Sequence, residues 1–360
     1  MLSCKLEARP EASRAMSYLS PLIAVALTLL GGLLLFSALG KDPLEGFQVF
    51  FINPLRNWNG VAELLLKATP LMLCAVGLAI GFRANVWNIG AEGQFILGAC
   101  AATGTALLLE DVEGPQVLVA MVCAGALGGA AWAAIPAFLR THFNANEILV
   151  SLMLVYIAQF LLSWLVFGPW IDPEGFNFPQ SKMFSDSALL PMLVAGTRLN
   201  FAFVLALGVL LLGYLFMQRS FLGYKMRVAG EAPDAARYAG FSAKWTIWIG
   251  LLAGGACAGL AGMAEVAGPM GQLTDKVASG YGFAAIIVAF VGRLNPVGIF
   301  FASLLMALLY IGGEQAQQYL SLPSSISKVF QGLLLFFLLG SDLFINYRLR
   351  LRWAPAKAGY

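Results

Sequence analysis

Apolar residues run along this chain in blocks of about 20, separated by short polar stretches. The blocks fall near 19–39, 61–82, 116–139, 147–167, 200–217, 245–266, 281–292, 296–311 and 325–345, with a further block ending near 109. At 1.5 Å per residue, about 20 helical residues match a hydrocarbon layer of about 30 Å. Runs of this length argue for helices rather than for the alternating strands of a barrel. The pattern predicts an all-α integral membrane protein, a polytopic bundle of about ten transmembrane helices forming a single domain over residues 1–360. The block at 281–292 is too short to span alone. As a spanning element it gives ten crossings, and as a re-entrant one it gives nine.

Two polar interruptions stand out. Residues 219–244 carry Arg219, Lys225, Arg227, Arg237 and Lys244. Inside them Pro233 suits a first helical position, Asp234 the positive end of a helix dipole, and Gly240 a C-terminal stop. The face between is small, with Ala235, Ala236 and Ala239, and is expected to dock into a partner. The second interruption, 81–98, places Asn85, Asn88, Glu92 and Gln94 beside apolar helices and breaks them with Gly90, Gly93 and Gly98. Polar groups and broken helix at membrane depth persist only where they face protein or a water-filled cavity. Glu92 has two readings: a gating carboxylate in a solute path, or a structural carboxylate near the headgroups, bonded to local backbone.

Smaller signals fill in the frame. Asn144 or Asn146 suits a helix N-cap, with Glu147 in the first turn. Gly125 and Gly129, and again Gly255 and Gly259, have the spacing that lets helix backbones approach closely in lipid. Glu265 and Glu314 fall at outer helix ends, where surface positions are expected. A span, a Gly-rich break and a small-residue helix occur at 61–109 and again at 245–292. The two copies point in opposite directions, as in inverted repeats with a solute path at their interface.

Composition sharpens the class. Of 360 residues, 59% are hydrophobic and 11% charged, against about 25% charged in an average soluble domain. Fifteen of the 22 Lys and Arg residues fall on one side if residues 1–18, 219–244 and 346–360 all lie in the cytoplasm, which the positive-inside rule favours. The five cysteines show no metal-ligand spacing. His142, the one histidine, reads as a headgroup-level residue. Neither a catalytic constellation nor a phosphate-binding G-x-x-x-x-G-K-[ST] loop occurs, so no ATP hydrolysis is expected on this chain. Nothing points to nucleic acid.

Five segments occur in order: GFRANVWNIGAEGQFILGA at 81–99, NANEILVSLMLVYIA at 144–158, LGYKMRVAGEAPDAARYAGFS at 222–242, LAGMAEVAGPMGQL at 260–273 and GYGFAAIIVAFVGRLNPVGI at 280–299. Together they resemble the permease subunits of bacterial ABC importers in the branched-chain amino acid and simple-sugar permease family, nearest the nucleoside branch that works with a basic-membrane-protein-type lipoprotein. The resemblance implies a permease in the inner membrane, paired with a second homologous permease subunit, a separate ATPase subunit that binds ATP and magnesium, and an extracytoplasmic substrate-binding lipoprotein. It implies no cofactor or metal on this chain. It makes Gly230, Glu231, Ala232, Pro233, Asp234, Ala235, Ala236, Arg237 and Gly240 the segment that couples to the ATPase. The amides and hydroxyls of the spans suit a neutral polar solute such as a nucleoside, nucleobase or simple sugar, with Asn85, Asn88, Glu92 and Gln94 along the path. The alternatives are a self-powered secondary transporter or channel and, for the solute, a branched-chain amino acid.

Overall fold

The apolar blocks fold as helices, with breaks where glycine, proline and amide side chains interrupt them. The computed structural model describes residues 2–9, 13–323 and 325–353. In chain order the elements are β1 (Leu2–Ala8), α1 (Arg14–Ala38), α2 (Pro43–Phe47), α3 (Asn53–Arg56), α4 (Trp58–Arg83), α5 (Ala91–Leu108), α6 (Gln116–Phe143) and α7 (Glu147–Phe167). They continue as α8 (Ala202–Arg219), α9 (Phe221–Glu231), α10 (Pro233–Tyr238), α11 (Ala243–Glu265), α12 (Tyr281–Val291), α13 (Pro296–Leu320), α14 (Ile326–Asn346) and β2 (Tyr347–Trp353).

Among the described residues, eight helices are long and apolar enough to cross a membrane: α1, α4, α6, α7, α8, α11, α13 and α14. The sequence pattern gives about ten; the two remaining apolar blocks form shorter helices. α5 has 18 residues but opens with Glu92 and Gln94, and α12 has only 11. On α7, Leu149, Met153, Ile157, Phe160 and Trp164 are exposed. Such a face in water would aggregate, whereas in lipid it is satisfied. The chain is a multi-pass membrane protein.

The fold divides into two compact units, Met1–Pro54 with Leu309–Tyr360, and Leu55–Leu308. In the first, α1 lies along α14. Phe330 of α14 packs among Phe36 and Phe50, its ring centroid 4.5 Å from that of Phe50. A side chain at Gly32 would overlap the Phe330 ring. β1 and β2 pair antiparallel, Leu2 opposite Trp353 and Ala8 opposite Tyr347. The polar N-terminal stretch and the basic tail had been expected only to share a side. The pairing brings the two ends together.

The second unit is built around α11. Ser242 caps its start, and glycines let three helices reach its backbone. A methyl at Gly77 of α4 would come 3.1 Å from the Gly254 Cα. A methyl at Gly259 would overlap the Gly125 carbonyl of α6, and one at Gly262 the Phe95 carbonyl of α5. The Gly125/Gly129 and Gly255/Gly259 spacings thus serve one interface, α6 on α11. Such contacts gain van der Waals energy where lipid offers no hydrophobic drive.

Two details depart from the sequence reading. Helix α13 continues past 311 to Leu320, so Glu314 is a helical residue, still exposed. The Glu, Gln and Ala residues there are good helix formers, and polarity alone does not end a helix. Glu265 is buried rather than at the surface. The loop near 168–198 pairs with the segment after α11: Ser181 N donates to the Leu273 carbonyl at 2.8 Å, Phe184 N to Gly271 at 2.9 Å and Leu190 N to Ala267 at 2.8 Å.

Candidate functional site

The break between α4 and α5 is where polar side chains enter the interior. Asn85 takes a positive φ of 55° after the last turn of α4. This is a conformation that asparagine tolerates better than most residues. The chain turns back there, and α5 begins only at Ala91. Ile89 N donates to Ser151 Oγ of α7 at 3.3 Å, and Gly90 packs so tightly on Ser151 that a methyl there would come 2.8 Å from its carbonyl oxygen.

Three of the four expected path residues are interior: Asn88 is 1% exposed, Glu92 2% and Gln94 1%. Asn88 and Gln94 form a closed amide pair. Asn88 Nδ2 donates to Gln94 Oε1 at 2.8 Å, and Gln94 Nε2 returns to Asn88 Oδ1 at 3.1 Å. Asn88 Oδ1 also accepts the Gly90 N–H at 3.0 Å. The pair lies against α11, since a methyl at Gly254 would meet Asn88 Nδ2 at 2.9 Å. Gly254 is 11 residues into α11, about 17 Å along it. Asn85 stands apart, exposed, its Oδ1 accepting from Trp87 Nε1 at 2.9 Å.

Glu92 is held by distant backbone. Its two carboxylate oxygens accept the N–H groups of Gly280 at 2.8 Å and Gly282 at 2.6 Å. Both groups belong to the first turn of α12, whose orphan donors and positive dipole end favour a carboxylate. This contact brings Glu92 and Gly280 to the same depth. The N-termini of α5 and α12 therefore meet inside the bundle, each reached through a non-helical stretch.

The second expected site is the segment joining α8 to α11. Ser220 caps α9, Pro233 opens α10, and Gly240 at φ 76° closes it, with Phe241 N bonded back to the Ala236 carbonyl at 2.9 Å. That is the glycine stop expected from sequence. Lys225 sits over the rings of Phe221, at 4.6 Å, and Phe241, at 5.3 Å, tying α9 to the return leg. The alanine face divides. Ala236 is 4% exposed and turned inward, while Ala235, Ala239 and most of the segment, including Glu231, Ala232, Pro233, Asp234 and Arg237, are exposed. A cavity of about 330 Å³ beside α10 is lined by Pro233, Asp234, Ala236, Arg237, Phe241 and Thr246. Sequence reasoning passed over Tyr238, which is 97% exposed. An aromatic in a polar stretch between apolar blocks is the available signal. Four residues, 239–242, separate Tyr238 from the start of α11 at Ala243.

Elsewhere Asn146 caps α7, accepting from Ile148 N at 2.9 Å, and Glu147 pairs with Arg140. Cys74, Cys100, Cys123 and Cys257 are unpaired thiols. Among the described residues no group of three or more His, Cys, Asp or Glu is placed to hold a metal ion.

Comparison with known proteins agrees with this architecture. The family model described as branched-chain amino acid transport system / permease component matches residues 60–339. A glucose ABC transporter permease protein of Haloferax volcanii is 36% identical over 372 residues, covering 98% of this chain and 97% of the relative. A nucleoside ABC transporter permease protein of Lactococcus lactis subsp. cremoris is 30% identical, covering 89% of this chain and 90% of the relative. A guanosine ABC transporter permease protein of Bacillus subtilis is 29% identical, covering 90% and 93%.

Proposed function

The chain belongs to the family of branched-chain amino acid transport system permease components, and from that membership we propose that it carries a nucleoside or a simple sugar into the cytoplasm across a bacterial inner membrane. It is a permease subunit of an ABC transporter; the ATPase is a separate subunit. In our reading the remaining partners are a second homologous permease and an extracytoplasmic binding lipoprotein, and ATP with magnesium binds on the ATPase. Both termini and residues 219–244 lie in the cytoplasm, supported by the paired ends and by the distribution of Lys and Arg.

One observation carries the mechanism: α10 leads within four residues into α11, the helix that α4, α5 and α6 all touch at backbone distance. In the proposed cycle the ATPase receives the exposed side of α10, with Tyr238, Asp234 and Arg237 as contacts. Closure of the ATPase on ATP shifts α10, and α11 carries that shift to the Asn88·Gln94 pair and to the meeting first turns of α5 and α12. Tightly packed helices pass on such a shift as a switch between two packings rather than as a gradual deformation. The solute path runs beside the break at 85–94, where amides supply hydrogen-bonding groups suited to an uncharged polar solute. Glu92 serves there by holding α12 in place.

The names of the relatives support the substrate class, since their cargoes are glucose, nucleosides and guanosine. The test is ligand binding by the cognate binding protein, followed by uptake through the reconstituted complex. Saturable binding of nucleoside or sugar is expected; a preference for leucine-like amino acids would refute the assignment.

A further inference from the structure

The far end of α7 borders a cavity that the cycle above does not use. Glu147, at the start of α7, pairs with Arg140 of α6, and the neighbouring Thr141 Oγ1 accepts from Trp248 Nε1, near the start of α11, at 3.2 Å. α7 therefore starts on the side of the bundle that carries α10 and ends on the opposite side. There Leu107, Glu110, Pro169, Trp170, Pro173 and Lys182 line about 310 Å³. This is the lower end of the range for small-molecule pockets, about 300–1,000 Å³, and has room for one sugar ring or one nucleoside.

The polar groups of the cavity are few and unspent. Lys182 Nζ stands 3.6 Å from Glu110 Oε2, and both side chains are about half exposed. The two charges offset each other, but the separation is too long for a hydrogen bond. The ammonium donors and the carboxylate oxygens make none among the described residues. Nor does Trp170 Nε1. The benzo edge of that indole, Cζ2 and Cη2, lies where a methyl at Gly104 of α5 would come within 3.3 Å of it, so the bare backbone at Gly104 seats the ring. Aromatic anchors at a bilayer edge face outward, as the exposed Trp164 and Phe167 do on α7. Trp170 is half-buried and lines the same cavity as the ion pair.

We propose that this cavity is a receiving site for the solute on the side away from α10, and that it binds an uncharged ring carrying neighbouring hydroxyl groups. The inference rests on the reading of the solute as a nucleoside or a simple sugar, which share that chemistry. The ring packs against the Trp170 indole, and the indole N–H donates to one of its oxygens. The Glu110 carboxylate accepts from adjacent hydroxyls and Lys182 donates to one of them, as charge-assisted bonds. Because the ion pair is neutral as a whole, the site attracts neither sign of charge. A branched-chain amino acid offers neither a ring nor hydroxyl groups.

The test uses the full chain in phosphatidylcholine nanodiscs, with saturation-transfer NMR observed on uridine, glucose and leucine in turn. Saturable binding is expected for uridine, glucose or both, and none for leucine. Binding of uridine alone assigns the site to a nucleoside, and of glucose alone to a sugar. Trp170→Ala is expected to weaken binding about tenfold, through the lost stacking surface. Glu110→Gln is expected to weaken it about threefold or more, through the lost charge on the acceptor. If the melting midpoint of Trp170→Ala matches the parent, that variant decides; if it falls, Glu110→Gln decides, since its side chain is half exposed. Unweakened binding in the deciding variant overturns the proposal, as does saturable binding of leucine or of neither other probe. Ligand binding by the cognate binding protein judges the underlying reading separately: if that protein takes a nucleoside or sugar and this cavity takes neither, the receiving site alone fails.

Discussion

The carboxylate of Glu92 accepts the backbone N–H of Gly282 at 2.6 Å across 190 residues of sequence, and through that bond the first turn of α5 holds the first turn of α12. The two backbones also touch, since a methyl at Gly282 would overlap the backbone of Glu92. Replacing Glu92 with leucine leaves two interior N–H groups without their acceptor, at roughly 1–3 kcal/mol for each group. Glu92→Leu is expected to lower the thermal midpoint of the purified chain clearly, with Glu92→Gln, which keeps one acceptor oxygen, in between. A leucine variant as stable as the parent would remove Glu92 as the clamp.

The amide pair makes a quantitative prediction. Asn88→Leu strands the Gln94 amide, and Gln94→Leu strands that of Asn88, so each single variant loses more than the pair was worth. The double variant is expected to be less destabilised than the sum of the singles by about 1 kcal/mol. Denaturation of all four chains measures the coupling, and additive losses would mean the two amides act independently.

Packing around α11 predicts a contrast between glycines. Gly259→Leu drives a side chain into the carbonyl of Gly125, whereas a side chain at Gly208 of α8 meets nothing within 4 Å. The first change is expected to cost about 1–3 kcal/mol or to prevent accumulation of folded chain. The second is expected to be nearly neutral. Size-exclusion profiles and melting curves compare them, and equal tolerance would contradict the central place given to α11.

The divided alanine face predicts different defects at neighbouring positions. Tyr238→Ala is expected to leave the melting curve unchanged and to weaken capture of the ATPase subunit, because the ring is fully outside and large aromatics commonly dominate interfaces. Ala236→Trp is expected to destabilise the chain itself, since that methyl is interior. If Tyr238→Ala captures the ATPase as well as the parent does, the contact lies elsewhere.

Much of the fold follows from local chemistry that a single sequence displays. Helix α10 is legible in Pro233, Asp234 and Gly240 because caps and stops act within a turn of their own position. The spans are legible because lipid demands about 20 apolar residues whatever their partners. The candidate site is legible only in part. Asn88 and Gln94 announce themselves as amides in an apolar run, but the partners of Glu92 are backbone groups far along the chain, and backbone carries no sequence signal. The same reason hides the pairing of Ser181 with Leu273 and the ladder joining the two termini. Tyr238 was passed over because one aromatic in a polar loop has no periodicity to mark its direction.

The most direct test of the central claim is solute uptake into proteoliposomes holding the permease pair, the binding protein and the ATPase subunit, measured with and without internal ATP and with and without the ATPase. The account predicts uptake only when ATPase and ATP are both present, and its loss in Tyr238→Ala in proportion to lost ATPase capture. Uptake through this chain in the absence of the ATPase would contradict it.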